Sequence, residues 1–342
     1  MNFEELFGYS VIRDYLKERQ FKPFLGELLF PEDKIQDIDL AYIKGANRLP
    51  VSASVHGFDT ETEIASREAQ EIVKERLALI KRRIKMGEEL LIKLNTPRTQ
   101  KEFEKAKEQV FNDVDQMVMA VRARIEAMRM EALTSGKLAV NENGVTVSLD
   151  YKMPTENIKT LGGTSVWTDA QADPIANMIQ WRDDLKGRTG SDPVRALTSN
   201  AVLAAILSHA KVKKAVYGGN FEKLLTKKEL NAFLESLDLP EIATYDERYK
   251  VQNANGTYTT KRFFDENKFV MMPAGTLGET IYGLTPEEIE LSGKSGNEIH
   301  EENKITVQVY RTNDPVARWT KAVATALPSF PAAGEVLVAK VK

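Results

Sequence analysis

The chain has 342 residues, 42% hydrophobic and 28% charged, which is ordinary for a folded protein and long enough for two domains. Its 47 basic and 50 acidic residues leave a net charge of −3, without the basic excess of a dedicated nucleic-acid binder. It contains no cysteine, which excludes disulfides, thiolate nucleophiles and cysteine-held zinc. The residue pattern predicts neither a signal peptide nor a membrane span.

Residues 1–35 read as an arm with one short helix, on which Val11, Ile12, Tyr15 and Leu16 share a face. Phe24, Leu25, Leu28, Leu29 and Phe30 follow between Pro23 and Pro31, in a segment too short to make its own core. They pack either on the body of the same chain or on a neighbouring copy. Residues 36–95 read as a long excursion. Ile38, Leu40 and Tyr42 alternate and predict a strand on the way out, and the polar stretch from Ser52 to Ser66 predicts a loop. Ile72, Val73, Leu77, Ile80 and Ile84 predict a helix on the way back, with Lys81-Arg82-Arg83-Ile84-Lys85 either as a solvated basic face or pairing with acidic residues of another copy or with phosphate.

From Thr99 to about Leu133 the apolar residues recur at helical spacing: Phe103, Ala106, Val110, Val114, Met117, Val121 and onward. Thr99 and Glu102 fit a capping box at the start, and Ser135-Gly136 supplies the stop. About 35 residues at ~1.5 Å each make a rod of roughly 50 Å. A rod this long, fed by an arm without a core, needs something outside itself to pack against, which points to assembly rather than catalysis.

Residues 137–149 predict a hairpin turning at Asn143-Gly144. A loop opening at Gly162-Gly163 leads through Trp167 to a helix beginning at Asp173-Pro174, with Ile175, Met178, Ile179, Arg182 and Leu185 along one side. From Ser191 helices and strands alternate. Helices are expected at 201–209, with Ser199 or Asn200 as cap, and at 226–237. A hairpin is expected around Asn255-Gly256, a buried strand at 269–272, a half-exposed strand at 305–310 and a last strand at 335–341.

No chemistry emerges from this pattern. His56, His209 and His300 have no second histidine at helical spacing. Gly275–Gly283 lacks the ending of a phosphate loop, and the adjacent acids Glu287-Glu288 and Glu301-Glu302 lie in polar stretches and are expected to be solvated. No catalytic residue, cofactor or metal site is expected.

Three blocks together resemble the major capsid proteins of tailed phages, of the lambda capsid protein E type. They are the arm Phe24-Leu25-x-x-Leu28-Leu29-Phe30, the segment Gly162-Gly163-Thr164-Ser165-Val166-Trp167 running to Asp173-Pro174, and Asn313-Asp314-Pro315 through Trp319 to Leu327-Pro328-Ser329-Phe330-Pro331. One residue more than in the family separates Gly162-Gly163 from Trp167. The resemblance implies an α+β fold of the HK97 capsid type. In it 1–35 is the N-terminal arm, 36–95 the extended loop, 96–190 with 304–325 the peripheral domain on a long spine helix, and 191–303 with 326–342 the axial domain. The hairpin 137–150 and the strand 305–310 would share the peripheral sheet.

The implied function is a non-enzymatic shell protein that self-assembles from pentamers and hexamers into an icosahedral head and encloses the phage genome. The alternative is an encapsulin-like nanocompartment shell. Implied partners are further copies of itself, a separate scaffolding protein, a portal protein, an optional decoration protein, and packaged DNA by non-specific proximity, with no membrane. The place is the virion, assembled in the host cytoplasm. Expected contacts between copies are Phe24, Leu28 and Phe30 in the arm and Arg48, His56 and Phe58 in the loop. Some relatives join subunits by Lys–Asn isopeptide bonds; Lys44 and Lys74 lie in the loop, but nothing marks a partner Asn. Particles boiled in detergent should therefore run as single chains on a denaturing gel, and a ladder of covalent multimers would contradict this reading.

Overall fold

The computed structural model describes residues 9–43, 72–95, 99–142, 145–219, 222–290, 298–302 and 304–342. The chain divides into two compact units. The first gathers residues 1–40, 74–129 and 279–329; the second gathers 41–73, 130–278 and 330–342.

In chain order, helix α1 (Tyr9–Glu18) and the single-turn α2 (Leu25–Leu29) precede strands β1 (Glu32–Lys34) and β2 (Asp39–Ile43). Strands β3 (Ile72–Arg76) and β4 (Ala78–Met86) lead to α3 (Glu88–Asn95) and the long α4 (Gln100–Ser135). The Thr99 hydroxyl accepts the Glu102 N–H at 3.3 Å at the start of α4, and Gly136, at φ 65°, ends it in the left-handed conformation. Then come β5 (Lys137–Glu142), β6 (Val145–Asp150), β7 (Ile158–Thr160) and α5 (Pro174–Thr189). Asp173 caps α5 by accepting from the Ala176 N–H, with Pro174 in its first turn. Next are β8 (Arg195–Thr198), α6 (Asn200–Ser208, capped by Ser199), α7 (Ala210–Tyr217) and α8 (Lys227–Ser236). They are followed by β9 (Glu241–Thr244), β10 (Arg248–Gln252), β11 (Tyr258–Arg262), β12 (Lys268–Met272) and β13 (Thr280–Gly283). Helix α9 (Pro286–Glu290) precedes β14 (Glu298–Glu302), β15 (Ile305–Asn313), β16 (Val316–Pro328) and β17 (Leu337–Lys340).

The first unit is built on a six-stranded sheet in the order β1-β13-β16-β15-β14, with β4 along the edge of β16 opposite both β13 and β15. One face of β16 is Ala322, Ala324 and Ala326, and beside it lie Ile305, Val307 and Val309 of β15. These form one core with Val110, Val114, Met117, Val121 and Ile125 of α4 and with Ile12 and Leu16 of α1. Three alanines give a shallow surface against which a helix comes close, and the valines of α4 fill it. The apolar stripe read from the sequence is thus the face of α4 that this unit buries.

The second unit holds a five-stranded sheet in the order β7-β17-β12-β8-β9. Phe269, Met271, Leu337 and Ala339 from its strands share a core with Trp167, Trp181, Met178, Leu185 and Ile206. The indole rings of Trp167 and Trp181 stack at 5.7 Å, and the Trp167 ring meets Phe269 edge-on at 5.0 Å. The indole N–H of Trp167 donates to Asn177 at 3.0 Å, so the buried donor is satisfied.

Several expectations need correction. The return limb is not helical but two strands, β3 and β4, and β4 pairs antiparallel with β16 over nine residues. Ile80 and Ile84, four apart, fit both periods; Arg82 between them and Met86 beyond complete a period-two face, and alternate residues of β4 are exposed. The hairpin β5–β6 forms a sheet of its own and does not join β15; its turn residues Asn143 and Gly144 lie outside the described residues. Strand β15 is interior, and its first five residues, Ile305–Val309, are buried on both faces rather than half-exposed.

Glu287 is likewise not solvated. Its carboxylate is 5% exposed, and Oε1 accepts from Lys81 at 3.0 Å and Lys321 at 2.9 Å, which ties α9 to β4 and β16. Glu288 accepts from Lys34 at 2.7 Å and from the Thr285 N–H. Burial opposes ionisation of Glu287, but the hydrogen bonds from Lys321 and Lys81 outweigh it and hold its carboxyl below the ordinary 4.5. A lowered folded-state value stabilises the fold above the unfolded-state value, and the contribution is lost as pH falls through the folded one. Glu287→Gln should therefore lower the urea midpoint at pH 7, by about 1–3 kcal/mol of stability. The deficit relative to the parent should shrink as pH is taken down from 4.5; a deficit independent of pH would show that the carboxylate charge is not what matters.

Candidate functional site

The arm meets α4 through a buried ionic cluster inside the first unit. Arg122, Glu126 and Arg129 stand at i, i+4 and i+7 on α4, so they share a face. Arg129 is 1% exposed. Its Nε donates to the Thr280 hydroxyl at 2.7 Å, Nη2 donates to Glu32 at 2.9 Å, and Nη1 lies 3.5 Å from Glu126 and 3.8 Å from Glu27. Arg122 donates to Glu27 at 2.8 Å and to the Lys22 carbonyl at 3.2 Å, and its guanidinium lies over the rings of Phe21 and Phe24. The other oxygen of Glu126 accepts the backbone N–H of Gly26 at 2.9 Å. The Tyr282 hydroxyl donates to Glu32 at 2.7 Å; burial, and then the Glu32 charge, push it well above the ordinary phenol value, so it remains a donor.

This geometry explains a glycine. A Cβ at position 26 would run into the Glu126 carboxylate and the Arg129 side chain, so only Gly lets α2 lie this close to α4.

The cluster decides what the expected arm contacts do. Phe24 precedes α2 and is buried, and Phe30 follows it and is fully buried. The Phe30 carbonyl accepts from the Thr280 hydroxyl at 3.0 Å. Both aromatic side chains are therefore packed within the described chain. Leu28, between them, is 66% exposed. The structure brings the three together on one short element, with two side chains facing in and one facing out. Arg48, His56 and Phe58 lie outside the described residues.

Sequence reasoning missed the cluster because it followed the apolar stripe. The available signal was the charged triplet Arg122, Glu126 and Arg129 keeping helical step with Val121, Ile125 and Met128, where a fully solvated face would be unremarkable and a half-buried one needs partners. His209, expected at a helix end, sits between α6 and α7 and is buried, with Nε2 3.0 Å from the Asp169 carbonyl. Among the described residues no group of His, Asp and Glu is placed to hold a metal ion, and no helix is long and apolar enough to cross a membrane.

The sequence matches the family model described as Phage major capsid protein E over residues 10–341. Among solved structures, the putative capsid protein of a prophage of E. coli CFT073 is similar at a TM-score of 0.61 and 15% identity, covering 100% of this chain and 99% of that one. A phage-related protein from Bordetella bronchiseptica RB50 is similar at 0.52 and 13% identity, covering 97% and 96%. A chain of the cyanophage A-1(L) capsid asymmetric unit is similar at 0.50 and 11% identity, covering 93% and 91%. No curated protein matches the sequence. At such identities the structures speak for the fold.

The Gly26 contact gives a direct test of the cluster. Gly26→Ala should destabilise the chain by about 1–3 kcal/mol in urea unfolding, the cost of overpacking a tight site. Gly187→Ala, in open space on α5, should cost nothing.

Proposed function

The chain belongs to the phage major capsid protein E family, and from that premise we propose how its parts divide the work of building a shell. It is a major capsid protein with the HK97-type fold, and copies of it assemble into the head that encloses a phage genome. The family match favours this over a nanocompartment shell. The family is one of structural proteins, and we assign no catalytic residue.

We infer that the arm works as a fixed bracket carrying one outward contact. The observation that carries this is α2: Phe24 and Phe30 are buried and Gly26 is bonded to Glu126, yet Leu28 between them is 66% exposed. An exposed leucine costs little on a single molecule and contributes when a neighbour covers it, by about 25 cal/mol per Å². Phe24 and Phe30 then act on assembly indirectly, by holding Leu28 in place. Arg48, His56 and Phe58 stand as proposed loop contacts. We assign 96–190 with 304–325 to a peripheral domain and 191–303 with 326–342 to an axial one.

One sequence that fills both pentamers and hexamers must make contacts that survive small rotations. Many modest contacts, repeated by symmetry, meet that need better than one large rigid interface. A separate scaffolding protein, a portal and an external decoration protein complete the proposed set of partners, with assembly in the host cytoplasm. DNA would be met only by non-specific proximity, in keeping with a net charge of −3.

Negative-stain microscopy of the purified protein, with and without a scaffolding protein, tests the shell reading, because closed particles, rings and monomers differ at a glance. Leu28→Asp should cut particle yield sharply while leaving the circular dichroism spectrum and thermal midpoint of the subunit unchanged. Normal particles from that variant would remove Leu28 from the contact.

A further inference from the structure

The second unit carries a concentration of positive charge that the family match does not explain. Between residues 210 and 228 the sequence has six lysines, Lys211, Lys213, Lys214, Lys223, Lys227 and Lys228, against a single acid, Glu222, in a chain whose net charge is −3. Structure draws four of them together. The C-terminal end of α7 is tied to the N-terminal end of α8 by the Tyr217 hydroxyl, which donates to Glu229 at 2.8 Å. Lys214 lies one turn before that tie and Lys227 and Lys228 open α8, while Lys223 donates to Glu229 at 2.6 Å and sits 4.8 Å from the Tyr217 ring.

Glu229 is fully used. It accepts from Lys223, from Tyr217, and from the Thr226 hydroxyl and N–H in a capping box. Lys214, Lys227 and Lys228 are exposed and have no ion pair among the described residues. Lys227 and Lys228 also occupy the first turn of α8, where the helix dipole disfavours positive charge. The fold thus keeps uncompensated cations where they are unfavourable to the isolated chain.

In their midst Leu224 is 81% exposed, more than any other large apolar side chain among the described residues. A bare phosphate backbone would use the lysines but has nothing to cover a leucine. An acidic peptide with apolar side chains beside its carboxylates would use both. The chain itself contains one: Phe3-Glu4-Glu5-Leu6-Phe7, which lies outside the described residues. Two other acidic–apolar runs are already engaged: Glu287 and Glu288 are bound to Lys34, Lys81 and Lys321, and in Glu88-Glu89-Leu90-Leu91 Glu88 accepts the Val316 N–H and Glu89 pairs with Lys93.

We propose that the surface formed by Leu224, Lys214, Lys223, Lys227 and Lys228 receives the Phe3–Phe7 segment of a second copy of the chain, with Glu4 and Glu5 on the lysines and an apolar side chain on Leu224. This rests on the shell reading, since it is a contact between assembled copies. Each exposed ion pair is weak, and repetition around a closed shell makes the sum count.

The test is charge exchange in the full-length protein. Lys227→Glu with Lys228→Glu should reduce particle yield, as should Glu4→Lys with Glu5→Lys, and the four substitutions together should restore it. In parallel, a fluorescein-labelled peptide of residues 1–10 is titrated with the parent chain at low salt and followed by anisotropy. The first pair of substitutions should weaken its binding about tenfold, and Leu224→Ser should weaken it in salt-independent fashion. The milder Lys227→Gln with Lys228→Gln serves should the reversed pair fail to fold.

A parent chain that forms no particles would speak against the shell reading, and the peptide titration would still decide the docking surface. Unchanged particle yield in either reversed pair, or loss in both without recovery on combining them, overturns the proposal. So does a lysine variant that assembles normally and binds the peptide normally but no longer shifts a short DNA duplex on a gel, which would assign the surface to nucleic acid instead.

Discussion

A single buried guanidinium organises the first unit. Arg129, at 1% exposure, has Glu27, Glu32 and Glu126 around it and reaches Thr280 as well. These partners come from α2, β1, α4 and β13. Isolated, such a cation would be untenable in an apolar interior; surrounded by carboxylates it is stable only while all its neighbours hold their places. Losing a carboxylate partner leaves the buried guanidinium less compensated. The cluster therefore favours one arrangement of the arm over near alternatives, beyond what apolar contact alone would select. Of the three apolar residues expected to reach a neighbour, Phe24 and Phe30 are instead buried, and Leu28 is left at the surface.

Local chemistry proved readable wherever the residues that decide a conformation are neighbours in sequence. Thr99 and Ser199 cap helices as their positions imply, Asp173 and Thr226 cap the helices expected to begin there, and Gly136 ends α4. Asn255-Gly256 turns a hairpin, with Gly256 at φ 82°. The apolar stripe of α4 from Ala106 to Ala132 is buried as its spacing implies. What failed did so because the deciding partner is distant. Nothing near Ile80 and Ile84 says that β16 lies alongside, and helix and strand periods agree at a spacing of four. Strand β16 itself, with alanine at 322, 324 and 326, carries helix-forming residues in a strand because only a small side chain fits beneath α4.

The candidate surfaces were legible only in part, for a related reason. Phe24, Leu28 and Phe30 were singled out as apolar residues without a core, but three neighbouring apolar residues do not reveal which will turn inward. That division depends on Glu126 and Arg129, about a hundred residues further on. Acidic pairs misled in the same way. Glu287 reads as solvated from its polar surroundings in sequence and is enclosed by Lys81 and Lys321 from two strands. Polar residues in a sequence record their neighbours poorly, since one well-placed cation reverses the expectation.

The positions of β16 and β17 have a consequence for the newborn chain. Strand β16 lies inside the six-stranded sheet, and β17 lies between β7 and β12 in the five-stranded one. Both strands are made late, so neither sheet can close until residues 316–340 have left the ribosome. Glu32 waits for Tyr282, 250 residues downstream; at ordinary translation rates that interval is roughly ten to fifty seconds. During it the nascent chain carries an unfilled apolar groove and open strand edges, the conditions under which unfinished proteins associate wrongly. A protein made in large numbers beside its own copies meets this hazard at high local concentration, and its synthesis is the stage at which general folding assistance has most to contribute.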